Sequence, residues 1–510
     1  MTAAAGNRIT VAAVDLGAES GRVTAVAFDG ATMDLRIVNR FPNRPRVRDG
    51  LLRWDMDALW TSITAGLGQL SGRQRTVAAV GVDAWGVDYG LIDGDDTLVD
   101  DPVCYRDGRN SGELERAQAL VGDRRLYEAT GIQIMSINAV FGLMADAALR
   151  PGRLAAARTL LMMPDVFHHR LSGSLVSEYT AVSTSGAYDM AGNRWAVELL
   201  ADLGVPTHML PEVAQPGTDV GGVVGEMAVG ALSGTRVILP PGHDTASAVV
   251  AVPFQDPEAL FISSGTWSLV GVEVGQAIVN DKSRRMNLTN EGGYDGTIRL
   301  LRNVMGLWIL QECRRQWASE GKDIGYPELA QMAAAEPGLL SLIDPDAPEF
   351  LPPGDMPSRI RQYCARTGSP VPQSIGAVAR CVIDSLALGY RAVADDIADL
   401  TGRRLPSISI VGGGAQHELL AQLTADATRL AVHCGPAEAT ALGNAAVQLV
   451  ALGELEGVQQ IRQVIAAGTD ITSYQPRADS RWDEAAARLA ELKASPSGAA
   501  PDFAASGGGP

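Results

Sequence analysis

At 510 residues the chain is too long for a single hydrophobic core, so two domains are expected. A 46% hydrophobic and 20% charged composition describes an ordinary globular protein, and a formal net charge of −17 argues against a nucleic-acid-binding surface. No uncharged apolar run approaches the ~20 residues of a membrane span, and Met1 to Asn7 is short, polar and unlike a signal peptide.

Several chemistries are excluded early. Cys104, Cys313, Cys364, Cys381 and Cys434 are odd in number, scattered and free of any C-x-x-C, which suits reduced thiols in a cytoplasm. Cys364 and Cys381 would pair only if the fold brought them together. The three lysines, Lys282, Lys322 and Lys493, do not sit in a P-loop. His417-Glu418-Leu419-Leu420-Ala421 lacks the second histidine of a zinc-protease helix, and there is no G-x-S-x-G elbow.

The first elements are two strand-like runs, Ile9 to Val14 and Val23 to Phe28, around the turn Asp15 to Arg22. This reads as a hairpin, not as the strand-to-helix glycine turn of a dinucleotide fold. Gly17 and Gly21 allow close backbone approach, Ser20 adds a hydroxyl and Asp15 could hold a cation; a plain polar turn is the alternative. A helix is predicted over Leu59 to Leu70 and a buried strand over Thr76 to Val82, ending in Asp83-Ala84-Trp85-Gly86. Trp85 is either a sugar-facing wall or a core tryptophan. Tyr105 to Arg109 reads as a polar loop with an exposed ion pair. Helices follow over Glu113 to Val121 and Asn138 to Leu149, Met162 and Met163 read as core packing, and Tyr179 to Tyr188 as structure.

Val237 to Leu239 ends a buried strand, and Pro240-Pro241-Gly242 breaks it before His243-Asp244-Thr245 and a run of small residues. Asp244 sits where a turn opens into a helix. It is either a helix N-cap or a carboxylate held in a cleft to take a substrate proton.

The second half opens like the first, with strand Ala259 to Ile262, turn Ser263 to Ser268 and strand Leu269 to Val274. This weak internal repeat predicts two related domains facing each other across a cleft, with the boundary near Pro253. A helix around Gly306 to Trp317 carries Gln311, Pro345 to Pro357 is a loop, and Ile375 to Leu400 is a long helix. The strand Ser407 to Val411 then runs into Gly412-Gly413-Gly414 and a further helix. Residues without a Cβ allow the flat approach that an adenosine requires, with a helix N-terminus near its phosphates. Ala437 to Leu452 is a small-residue helix, Ser480 to Leu492 another helix, and Ser495 to Pro510 a tail with the composition of a disordered segment.

In one order from about Val11 to about Pro476, a series of blocks resembles the FGGY family of carbohydrate kinases. They are VDLGAESGR (14–22), GVDAWGVDYG (81–90), YRDGR (105–109), LLMMPD (160–165), GHDTASAV (242–249), SSGTWSL (263–269), NVMGLWILQE (303–312), ARCVIDSLALGY (379–390), VGGGAQ (411–416) and EATALGN (438–444). The resemblance implies an α/β fold of two actin-like (ribonuclease H-like) domains hinged around a central cleft. Residues 1–252 would bind the sugar and 253–477 the nucleotide, with a C-terminal helix and tail over 478–510. It implies transfer of the ATP γ-phosphoryl group to the 1-hydroxyl of L-rhamnulose, with Mg2+. Asp244 then resembles the catalytic base, and Gly86, His243, Thr245 and Asn303, with Asp244, the sugar contacts. Ala18, Glu19, Ser20, Gly21, Arg22, Thr266, Gln311 and Gly413 resemble the nucleotide contacts, and Asp15 the acid that helps place the metal. Glu19 departs from the family pattern, where serine is common; beside phosphate an acid must point away or meet the metal. The alternatives are a sister kinase acting on L-fuculose, D-xylulose or a polyol, and a non-catalytic actin-like nucleotide sensor.

Overall fold

An apolar run with no polar alternation belongs to a strand covered on both faces, and Ile9–Leu16 (β1) is buried from Thr10 onward. Ser20–Phe28 (β2) returns antiparallel, pairing Leu16 with Gly21 and Asp15 with Arg22, and Met33–Pro42 (β3) adds an outer antiparallel strand. The helix Met56–Ser71 (α1) follows, then Ala79–Ala84 (β4), which lies parallel to β1 and sets Asp83 beside Asp15. Asp219–Gly222 (β5) and Arg236–Ile238 (β6) complete a six-stranded sheet in the order β5-β6-β4-β1-β2-β3, and Asp244–Val250 (α2) leaves it.

The second sheet repeats this plan. Leu260–Ser264 (β7) and Trp267–Val274 (β8) form its hairpin, and Thr289–Gly292 (β9) and Ile298–Met305 (β10) extend the antiparallel side. After the helices Trp308–Ser319 (α3) and Ile375–Thr401 (α4), Ser407–Val411 (β11) joins parallel to β7. Glu418–Thr428 (α5), Ala431–Cys434 (β12), Ala439–Ala451 (α6) and Thr472–Tyr474 (β13) follow, giving the order β9-β10-β8-β7-β11-β12-β13. In both halves a hairpin leads to antiparallel strands on one side and parallel strands on the other, as the paired hairpin signals and the resemblance predict.

The computed structural model describes residues 8–71 and 76–494. The segment Met1 to Asn7 and the tail expected over Ser495 to Pro510 lie outside the described residues. The strand expected from Thr76 begins at Ala79, and the last two residues of the triple glycine open a one-turn 3-10 helix, Gly413–Gln416, before α5. Among the described residues no helix is long and apolar enough to cross a membrane. All five cysteines are free and buried, and the fold brings the Cys364 and Cys381 thiols into contact.

The small residues of α6 have a structural cause. This second-half helix docks against α2 and the first sheet, and the approach at Gly443 is so close that a Cβ would sit 1.8 Å from the Ser247 carbonyl oxygen. Buried polar groups must be paired. Asn444 Nδ2 donates to Asp83 Oδ2 at 2.5 Å, and Gln448 Nε2 to the Ala12 carbonyl at 2.9 Å. The two halves are therefore joined next to the carboxylates that matter below.

Candidate active site

A cleft of ≈ 310 Å³ opens where both hairpin turns and the C-terminal ends of β4, β6 and β11 converge, the place where ligands bind in sheets of this kind. Asp15, Ala18, Glu19, Ser20, Arg22, Gly86, His243, Asp244, Thr245, Thr266, Asn303, Gln311 and Gly413 all line it. Of the site residues that the resemblance implies, Gly21 alone is not among the lining residues. It pairs with Leu16, and a Cβ there would meet the Phe41 ring at 2.4 Å. Its role in the structure is to admit that ring.

Asp244 is not an N-cap. His243 holds that position and Asp244 is the first helical residue of α2. Its Oδ1 accepts from the Thr245 N–H at 2.5 Å and the Thr245 hydroxyl at 3.2 Å, and lies 3.4 Å from His243 Nε2. The Asp244 side chain keeps 30% of its surface exposed, toward the cleft it lines.

Asp15, Asp83 and Asp244 form an anionic corner. Burial pushes the Asp15 carboxyl up to about 6, with Arg22 opposing the shift and Asp244 and Glu438 adding to it. Burial, then the charge of Asp15, also raises the Asp83 carboxyl well above the usual range. Arg22 Nε lies 2.9 Å from Asp15, and its Nη1 bonds Glu438, which also pairs with Arg40. Asp83 Oδ1 is buried without a partner. Buried, partly uncompensated carboxylates of this kind suit a cation. Among the described residues no group of three His, Cys, Asp or Glu side chains is placed to hold a metal alone.

Glu19 points away from the turn it belongs to. Its Oε1 is 2.7 Å from Arg315 Nη2 on α3, and Arg315 also bonds Glu312. Gln311, one turn earlier on the same helix, lines the cleft. In the same region Gly413 has open space where a Cβ would stand, whereas a Cβ at Gly414 would lie 2.0 Å from Ser264 Oγ. One glycine thus leaves room for a ligand, and the next leaves room for the first hairpin of its own domain.

One expectation is corrected, and the choice left open at Trp85 falls to the core. Tyr105 to Arg109 is not an exposed loop with a surface ion pair. Arg109 pairs with buried Asp146 at 2.7 Å, together with Arg150, Arg153 and the Tyr89 hydroxyl, and Arg106 stacks 3.8 Å from the Trp308 ring centre. Trp85 is a core residue: it packs 4.2 Å from Trp54, and both indoles donate to Asp88 Oδ2, at 2.8 and 2.6 Å. Burial pushes Asp88 up to about 7 despite those donors. Gly86 and Val87, just beyond this tryptophan, are the residues that line the cleft.

Other cleft residues carry no signal in the sequence. Gln133 Oε1 accepts from the Asn303 N–H at 2.8 Å and from Asn303 Nδ2 at 3.1 Å, fixing the amide that the resemblance assigns to the sugar. Glu291 Oε1 stands 3.4 Å from the same Nδ2. Thr184 Oγ1 accepts from the Val87 N–H at 2.9 Å. Isolated Gln, Glu and Thr residues in ordinary strands and turns match no motif, and only the packing reveals them.

Residues 10–251 match the FGGY family of carbohydrate kinases, N-terminal domain, and residues 260–452 match its C-terminal domain. The rhamnulokinase of Bacteroides thetaiotaomicron is 39% identical over 474 residues, covering 93% of this chain and 97% of its own length. That of Pectobacterium carotovorum subsp. carotovorum is 40% identical over 473 residues, covering 92% and 94%. Among solved structures, Plasmodium falciparum glycerol kinase with ADP superposes with a TM-score of 0.75 at 13% identity, covering 95% of this chain and 98% of its own. At that identity the likeness is one of fold.

Proposed function

The chain belongs to the FGGY family of carbohydrate kinases, and from that premise we propose that it transfers the γ-phosphoryl group of ATP to the 1-hydroxyl of L-rhamnulose. The products are L-rhamnulose 1-phosphate and ADP. The observation that carries the reading is one cleft in which a carboxylate at a helix start faces two glycine-containing hairpin turns and a glycine step. Curated relatives at 39–40% identity over more than nine-tenths of the chain are rhamnulokinases, which supports the choice of sugar.

The chemistry follows from these side chains. Asp244 takes the proton of the 1-hydroxyl as that oxygen attacks the γ-phosphorus. The new O–P bond forms, the bond from phosphorus to the β-phosphate oxygen breaks, and ADP leaves. Such a transfer needs positioning and neutralisation of spread charge more than covalent help. The turns around Ser20 and Thr266 offer N–H and hydroxyl donors to the phosphates, Arg22 offers a guanidinium, and the space over Gly413 accepts the adenosine. Gly86, His243, Thr245 and Asn303 hold the sugar. Closure of the two halves excludes water, which would otherwise take the phosphoryl group.

Asp15, with Asp83 behind it, would hold Mg2+ by charge, and the buried, unpartnered Asp83 Oδ1 is the observation that fits a cation there. When bound, the ion supplies positive charge to the phosphate oxygens. We place the reaction in the cytoplasm, where ATP is available and free thiols persist.

The test is ADP release, dependent on magnesium and ATP, over L-rhamnulose, L-fuculose, D-xylulose, L-ribulose and glycerol. A clear kcat/KM preference for L-rhamnulose is expected. Preference for another acceptor moves the function to a sister kinase, and ATP binding without turnover on any acceptor overturns the kinase reading.

A further inference from the structure

One buried charge behind Asp244 has no part in the scheme above. Arg299 on β10 is 1% exposed and stands cross-strand from Glu291 on β9. Its Nε donates to the Gly292 carbonyl at 2.8 Å. Its Nη2 lies 3.2 Å from Glu291 Oε2 and 3.2 Å from His243 Nδ1, with the N–H directed at that ring nitrogen, which itself lies 3.2 Å from the same Glu291 oxygen.

A guanidinium can only donate. A neutral imidazole carries one proton, and the nitrogen that receives a hydrogen bond is the one without it. With Arg299 donating to Nδ1, the proton must sit on Nε2, which faces Asp244 Oδ1 at 3.4 Å. Oδ1 already receives the Thr245 N–H and the Thr245 hydroxyl, and an Nε2–H would stand beside it. Oδ2 is left as the basic oxygen.

We propose that Arg299 is a positioning residue that holds His243 as its Nε2–H tautomer, so that His243 donates to Oδ1 of Asp244 and Oδ2 takes the sugar proton. The proposal rests on Asp244 being the base. It has a consequence for domain closure. His243 and Asp244 leave the first sheet, whereas Arg299 and Glu291 belong to the second. The base is therefore oriented by a donor chain that crosses the cleft and is complete only when the halves are together.

The chain has six histidines, so [15N]histidine labelling, with His243 assigned from its loss in His243→Gln, resolves the ring nitrogens. In the resting wild-type enzyme we expect Nδ1 to resonate as a bare acceptor and Nε2 as an N–H. In Arg299→Met/Glu291→Gln, which removes both charges of the buried pair together, the Nδ1–H tautomer should appear. The kcat should fall by ~10-fold or more, part of what a general base contributes, with KM for ATP changed less than ~3-fold. A protonated Nδ1 in the wild type overturns the proposal even if the double variant does not fold. So does an unchanged kcat, or a lost kcat with the tautomer intact. Absence of wild-type turnover on every acceptor of the panel would instead refute the kinase reading, because the tautomer is read without turnover.

Discussion

Replacing Asp244 by asparagine changes one oxygen into an amide and removes the only role the site cannot supply elsewhere. The new side chain keeps a carbonyl oxygen for the Thr245 N–H that Oδ1 now receives at 2.5 Å, so α2 starts as before. The loss of an acid from a helix start costs ~0.3–1 kcal/mol. Relief of the repulsion that Asp244 exerts on Asp15 and Asp83 acts in the opposite direction, so the melting temperature should move little. The amide cannot take a proton. A positioned base contributes ~10²–10⁴ in rate, or about 3–5 kcal/mol of barrier. Asp244→Asn should therefore lower kcat on L-rhamnulose by at least ~10²-fold, measured as coupled ADP release, with ATP affinity by calorimetry largely kept. Turnover within ~10-fold of wild type would refute the assignment of Asp244 as the base.

The two neighbouring glycines should separate binding from folding. Gly413→Leu projects into open space of the cleft, so ATP affinity should fall ~10-fold or more with stability kept, whereas Gly414→Ala meets Ser264 and should cost ~1–3 kcal/mol of stability; an unchanged ATP affinity in Gly413→Leu refutes the adenosine assignment. Gly443→Ala should destabilise by ~3 kcal/mol or more, because its Cβ would collide with the Ser247 backbone and not with a movable side chain; a wild-type melting temperature refutes the close docking of α6 on α2. The third test is pH. Burial raises Asp15 to about 6, and Asp88 and Glu178 to about 7. The folded state then holds more protons than the unfolded one between ordinary carboxylate values and these, so stability falls as pH rises through that window. The ligand-free protein should melt higher at pH 5.5 than at pH 8, with a smaller difference in Asp88→Asn; a flat or reversed profile contradicts the burial of these acids.

What the sequence determines by itself is local. The hairpins after Ile9 and Ala259, the break at Pro240-Pro241-Gly242 and the strand before Gly412 are set by near neighbours, because turn and strand preferences act over a few residues. For that reason Asp15, Asp244, Thr266 and Gly413 were legible as candidates, and their order along the chain points to the family. What these side chains touch is decided elsewhere. Arg22 meets Glu438, 416 positions away, Glu19 meets Arg315, 296 positions away, and Arg299 reaches His243 across 56. The indole of Trp85 turns into the core because Asp88 and Trp54 satisfy it there, a choice the dipeptide beside Gly86 does not encode. Ion pairs and tautomers depend on which charges packing leaves within a few ångströms of one another. The tertiary structure alone brings the two sheets, and with them those charges, to one cleft.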